Sequence, residues 1–119
     1  MIHVLLVEDS SVFVMGLKLA LQSDSGFASI ESVATPGAAL AFLNTHSETD
    51  VAVVDISLES ETDGLTLLGI LREAFPTVRT LVLSHYKTPA YILKAISSGA
   101  SAYLAKDSAP ESIVERNRS

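Results

Sequence analysis

A run of four apolar residues ending in a carboxylate, Val51-Ala52-Val53-Val54-Asp55, constrains the fold of this chain more than any other stretch. Three of the four are β-branched, and so short an unbroken apolar run suits a strand buried on both faces, as in a parallel sheet. Such a strand offers its terminal acid no apolar surroundings to enter. In open parallel α/β sheets, ligands bind outside the carboxyl ends of the strands, near the point where the strand order reverses, which puts Asp55 on that rim.

The rest of the chain alternates in the same way. Ile2–Val7 reads as a first buried strand ending in Glu8 and Asp9, after which Ser10 can cap a helix. Phe13, Gly16, Leu17, Ala20 and Leu21 recur at helical spacing and mark its inner face. Val12, Val14, Met15 and Leu19 widen the apolar surface beyond what one sheet face needs; core packing is the simpler account of them, contact with a partner the other. Residues 28–34 form a second strand whose polar interruptions suit an edge position. Thr35-Pro36 opens the next helix, which ends near Asn44, because Thr can cap and proline is tolerated in a first helical turn. After Asp55, a polar loop over 57–64 leads to a helix over about 65–75, stopped by Pro76. Residues 79–83 form a fourth strand ending in Ser84. Thr88-Pro89 starts a helix with Ile92, Leu93 and Ile96 inward, closed at Ser98-Gly99 by a helix-ending glycine. Residues 100–104 form a fifth strand running into Lys106-Asp107, and the tail makes one short helix over about 110–116.

This βα alternation predicts one doubly wound α/β domain over 1–119, a parallel sheet of five strands with helices on both faces and a short last helix. Length agrees, since 119 residues bury one core and are too few for two ordinary domains. With no cysteine, disulfides and thiolate zinc sites are excluded, which fits a reducing cytoplasm. A formal charge of −6 with only eight scattered Lys and Arg argues against direct nucleic-acid binding by this domain. Met1-Ile2-His3 does not begin a basic region leading into an apolar run, and Lys18 interrupts the longest apolar segment, so neither export nor membrane insertion is expected.

The chemistry lies in the residues at the strand ends: Glu8 and Asp9 after the first, Asp55 after the third, Ser84 after the fourth and Lys106 just past the fifth. Taken singly, each has an ordinary explanation. An Asp after a strand is usually a turn or cap residue, Ser84 a helix cap, Lys106 a solvated charge and Tyr103 a core aromatic. Together, clustered carboxylates repel unless a cation joins them, and an all-oxygen donor set suits a hard octahedral ion such as Mg²⁺. A carboxylate beside that ion can act as nucleophile toward phosphorus, with positive charge on the transferring oxygens lowering the barrier. Asp55 is then the phosphoacceptor, Lys106 supplies charge, and Ser84 offers a hydroxyl whose movement leaves a space that Tyr103 can fill.

The wording VLLVED, VVD, LVLS and GASAYLAKD, in this order, resembles the receiver domain of bacterial two-component response regulators, over residues 2 to about 114. GASAYLAKD is similar to receivers of the LuxR-type subgroup, whose members usually carry a C-terminal helix-turn-helix domain. The resemblance implies a flavodoxin-like strand order of 2-1-3-4-5. It implies Asp9 as direct Mg²⁺ ligand, Glu8 acting through water and the backbone carbonyl of Ser57 as a further ligand. It further implies that Ser84 and Lys106 contact the phosphoryl group and that Tyr103 turns inward on activation. The partner would be a sensor histidine kinase or a histidine phosphotransfer protein. Phosphorylation would alter the face formed by the fourth helix, fifth strand and last helix, with homodimerisation possible. Transcription would be regulated through an output domain outside this chain, which is either a stand-alone receiver or the front part of a longer protein. Tyr86, Tyr91 and Ile92 are candidate contact residues on that face, with burial in the core an equal reading for Ile92 from its place on the helical stripe.

Several features depart from the family pattern. Glu59 stands where proline is usual, the loop before Asp63-Gly64 reads one residue longer, and His85 is bulkier than the small residue often found after Ser84. Those departures favour an alternative, a pseudo-receiver that keeps the fold as an interaction module without phosphorylation. A phosphohydrolase with an Asp nucleophile is a weaker alternative, because Ser57 occupies the position two residues on, where such an enzyme needs a second acid.

Overall fold

A computed structural model of the chain describes residues 2–22, 26–56, 61–84 and 89–105. Five strands and four helices alternate among them: β1 (Ile2–Val7), α1 (Ser11–Gln22), β2 (Phe27–Val33), α2 (Pro36–Thr45), β3 (Val51–Asp55), α3 (Glu61–Ala74), β4 (Arg79–Ser84), α4 (Pro89–Ser97) and β5 (Ala102–Ala105). All strands are parallel, in the order β2-β1-β3-β4-β5, so the order reverses between β1 and β3 as expected of a flavodoxin-like sheet. The short terminal helix expected over 110–116 lies outside the described residues.

The two-residue period of the strands sorts the core into two layers. Leu5, Val7, Ala52, Val54 and Val82 join one cluster with Leu43 of α2, Leu67, Leu68 and Leu71 of α3, and Ala95 of α4. Val4, Leu6, Val51, Val53, Leu81 and Leu83 join the other, with Leu17 and Leu21 of α1. Every residue of β3 is buried, as its apolar run requires. Strand β2 lies at the edge and leaves Ala28 and Glu31 exposed, a charged strand edge that discourages further pairing.

Local signals account for the helix ends. Thr35 accepts a hydrogen bond from the Ala38 amide at 3.1 Å, and Pro36 occupies the first turn, where its missing N–H costs nothing. After α4, Gly99 has a φ of 117°, and the amides of Gly99 and Ala100 donate to the carbonyls of Ile96 and Ala95, both at 3.1 Å. That pairing is the Schellman arrangement for closing a helix, and it needs the backbone freedom of glycine.

Several expectations are corrected. Helix α3 begins at Glu61, so Asp63 and Gly64 belong to its first turn and the polar segment after Asp55 is shorter than 57–64. Thr and Glu are acceptable helix residues once the chain behind them is packed, which is why polarity alone extended the loop too far. Strand β5 starts at Ala102, two residues later than expected, because Gly99 and Ala100 complete the closure of α4.

On α4 the inward direction is that of Ile92 and Ala95; Leu93 is 68% exposed and Ile96 45% exposed. At about 100° per residue, Leu93 stands a quarter turn or more from the Ile92–Ala95 line, and the small Ala95 lets the helix approach the sheet closely. On α1 only Leu17 and Leu21 are fully buried, with Phe13 and Val14 packed at the margin, whereas Val12, Met15 and Leu19 face outward. Core packing therefore explains Val14 but not those three.

Candidate functional site

The sheet register brings the acids together. Val7 of β1 pairs with Val54 of β3, so Glu8 and Asp55 are the next residues outward on neighbouring strands. Their parity matches that of Leu6 and Val53, which directs both toward the α1 side. Asp55 is 2% exposed and Glu8 4%, while Asp9 is exposed. A carboxylate oxygen from each of Glu8, Asp9 and Asp55 lies within 4.8 Å of the others.

Local bonds hold these side chains in place. The Glu8 amide donates to the Val33 carbonyl of β2 at 3.0 Å, and the Ile56 amide donates to the Leu83 carbonyl at 3.1 Å, carrying the β3–β4 ladder one residue past Asp55. Ser10 has two tasks. Its hydroxyl accepts from the Phe13 amide at 3.3 Å and so caps α1, while its own amide donates to Glu8 Oε2 at 3.0 Å. The sequence marks Ser10 as a cap; its role in orienting Glu8 is a structural finding, for which the only written signal is an acid two residues before an N-cap serine.

Ser84 ends β4 and is fully buried, and Asp55 pairs with Leu83, its immediate neighbour. Ser84 in turn pairs with Ala105, the last residue of β5, which Lys106 follows in the chain. Lys106 and Ser57 lie outside the described residues, as do His85, Tyr86 and Glu59. Tyr103 is half-buried and packs against the cluster that contains Val82 and Ala95. Glu8, Asp9, Asp55 and Ser84 thus share one edge of the sheet, with Tyr103 on the neighbouring strand. Beside them a cleft of about 440 Å³ extends between α1 and the end of β2, lined by Glu8, Asp9, Val14, Met15, Val33 and Ala34 among others.

Buried carboxylates this close work against each other. At an effective dielectric near 20, two charges within 5 Å repel by on the order of 3 kcal/mol, so Glu8 and Asp55 gain from a cation between them. A three-carboxylate set within 4.8 Å is chemically suited to a hard divalent ion such as Mg²⁺, and the residues present fit that ion. It would polarise phosphoryl oxygens held beside Asp55.

Residues 4–118 match the response regulator receiver domain family. The chain is 28% identical to the nitrate/nitrite response regulator protein NarP of Escherichia coli, over 98% of this chain and 53% of that protein. It is 33% identical to the DNA-binding transcriptional activator DevR/DosR of Mycobacterium tuberculosis, over 90% of this chain and 48% of that one. It therefore spans about half the length of the curated relatives it matches. A solved LuxR-family two-component response regulator from Aurantimonas superposes with a TM-score of 0.84 at 26% identity, over 95% of this chain and 79% of that chain. The matched span, the parallel 2-1-3-4-5 sheet and the acidic rim agree, and the chain belongs to the response regulator receiver family.

Proposed function

We propose that this domain is a phosphorylation-dependent switch in which Asp55 accepts a phosphoryl group from the phosphohistidine of a sensor kinase or a histidine phosphotransfer protein. The observation that carries this reading is the burial of Asp55 at a strand end with the carboxylates of Glu8 and Asp9 within 4.8 Å. An Asp55 carboxylate oxygen attacks phosphorus, an O–P bond forms as the donor's P–N bond breaks, and the imidazole leaves with the electron pair. Glu8, Asp9, Asp55 and the Ser57 carbonyl would hold Mg²⁺, which neutralises charge on the phosphoryl oxygens. Ser84 donates a hydroxyl hydrogen bond to one phosphoryl oxygen and Lys106 pairs with another. Tyr103 moves into the space that the Ser84 side chain vacates.

The domain catalyses only its own phosphorylation and its return, in which water attacks phosphorus and Asp55 is released. The face of α4, β5 and the chain beyond it then changes partners, homodimerisation included, and an output domain outside this chain carries the change to transcription. Such a relay operates in the cytoplasm. Among the described residues no helix is long and apolar enough to cross a membrane.

Incubation with Mg²⁺ and acetyl phosphate, with intact mass measurement afterwards, tests the reading. A phosphoryl adduct that Asp55→Asn abolishes is expected. A wild-type protein that stays unmodified overturns it in favour of a non-phosphorylated pseudo-receiver.

A further inference from the structure

Two of the chain's three histidines, His3 and His46, line one cavity at the end of the sheet opposite the acid rim. His3 lies near the start of β1 and Glu8 follows its end, so the two are separated by roughly 16 Å at the rise of a strand. His3 pairs with Ser29 and Leu5 with Glu31, and the parity shared with Leu5 and Val33 turns His3, Ser29 and Glu31 toward α2, whose Phe42 packs on that side. Between this strand pair and the last turn of α2 is a cavity of about 340 Å³, lined by His3, Ser29, Glu31, Phe42, His46 and Glu48 among others. Small-molecule sites occupy about 300–1,000 Å³.

The histidines are fixed through Nδ1. That atom of His46 lies 2.9 Å from the Phe42 carbonyl, and a carbonyl only accepts, so Nδ1 carries the hydrogen and the neutral ring keeps its lone pair on Nε2. The His46 ring stacks on Phe42 with centroids 3.8 Å apart and planes 1° apart, which gives the cavity an aromatic wall. His3 Nδ1 meets the Ser29 hydroxyl at 2.8 Å. Glu31 and Glu48 add ionised carboxylates, which accept only, and no Lys or Arg is among the described residues that line the space.

We propose that this cavity binds a small organic cation rich in N–H donors, a guanidinium or ammonium group on a short alkyl stem. Its charge complements Glu31 and Glu48, an N–H donates to His46 Nε2, and a planar guanidinium stacks on the aromatic wall. One metal ion suits the cavity less well. Among the described residues only Glu8, Asp9 and Asp55 bring three such ligand atoms within 4.8 Å of one another, so the donors around the histidines are spread too widely for it. The site would give the chain an input separate from Asp55, and it does not rest on the proposed phosphoryl switch.

Agmatine, with a guanidinium at one end of a four-carbon stem and an ammonium at the other, is the probe. Titrated into the intact, unphosphorylated protein and followed by NMR, it should give saturable shifts at residues 3, 29, 31 and 46–48 and leave 8, 9 and 55 unmoved. N-butylurea, similar in shape but uncharged, should bind at least roughly tenfold more weakly. Glu31→Gln and Glu48→Gln should each weaken agmatine by about fivefold, and His46→Ala by about tenfold. Both glutamates are exposed, so their variants keep the fold and the test stays readable even where His46→Ala unfolds. Shifts that never saturate, or that spread over acids elsewhere on the surface, would overturn the proposal. So would equal binding of N-butylurea, glutamine variants with unchanged affinity, or Zn²⁺ saturating these signals where agmatine leaves them still. None of these outcomes bears on whether Asp55 accepts a phosphoryl group.

Discussion

Gly99 and Ser10 show how single positions hold this structure. At Gly99 a positive φ coincides with the Arg72 stem occupying the place of a side chain, so an alanine meets both backbone strain and a contact that must give way. Gly99→Ala is expected to cost about 1–2 kcal/mol, read as a lower urea midpoint with an unchanged slope. Ser10→Ala removes the hydroxyl that caps α1 and should cost about 1 kcal/mol by the same measurement. The backbone amide that holds Glu8 survives in that variant, so Mg²⁺ affinity, measured by calorimetry, should change little.

Helices α1 and α4 present apolar side chains in two populations that stability measurements separate. Leu17 of α1 is buried against Val4, Leu6 and Val53, whereas Leu93 of α4 projects outward. Leu17→Ala should cost about 2–5 kcal/mol in chemical denaturation, through lost transfer free energy and a residual cavity. Leu93→Ala should stay within about 0.5 kcal/mol of wild type, as expected of a surface substitution. Hydrophobic periodicity does not separate the two cases. An α-helix lying on a sheet buries only one arc of its circumference, and α1 has apolar residues on nearly every side, so the pattern names candidates without giving their direction. For α4 the ambiguity is sharper, since its contact centre is Ala95, a residue far smaller than its neighbours Leu93 and Ile96.

The sheet joins residues that are far apart in the chain into one charged rim, and a bound ion should report on the whole fold. If Glu8, Asp9 and Asp55 hold Mg²⁺ in the native state and not in the unfolded chain, Mg²⁺ at ten times its dissociation constant adds about 1.4 kcal/mol of stability. Thermal unfolding with and without Mg²⁺ should show this as a rise in Tm of several degrees, and Asp9→Asn should abolish most of it. A rise of the same size in Asp9→Asn would remove that side chain from the proposed ligand set.

The alternation of strand and helix, the buried central strand, the edge position of β2, the caps at Ser10 and Thr35 and the acids at the strand ends were all legible in the one-dimensional pattern. They depend on local chemistry and on periods of two and 3.6 residues, which neighbouring side chains reveal without knowledge of distant ones. The four motifs also sufficed to point to the receiver family and to its strand order. What stayed hidden were quantities set by contacts between remote segments. These are the outward direction of Leu93, Ile96, Val12, Met15 and Leu19, the early start of α3, the Ser10 amide on Glu8, and the meeting of Arg72 with Gly99. Each depends on where a second piece of chain comes to rest, and the free energy that chooses among such arrangements is shared over the whole packed core, so no short window of residues contains it.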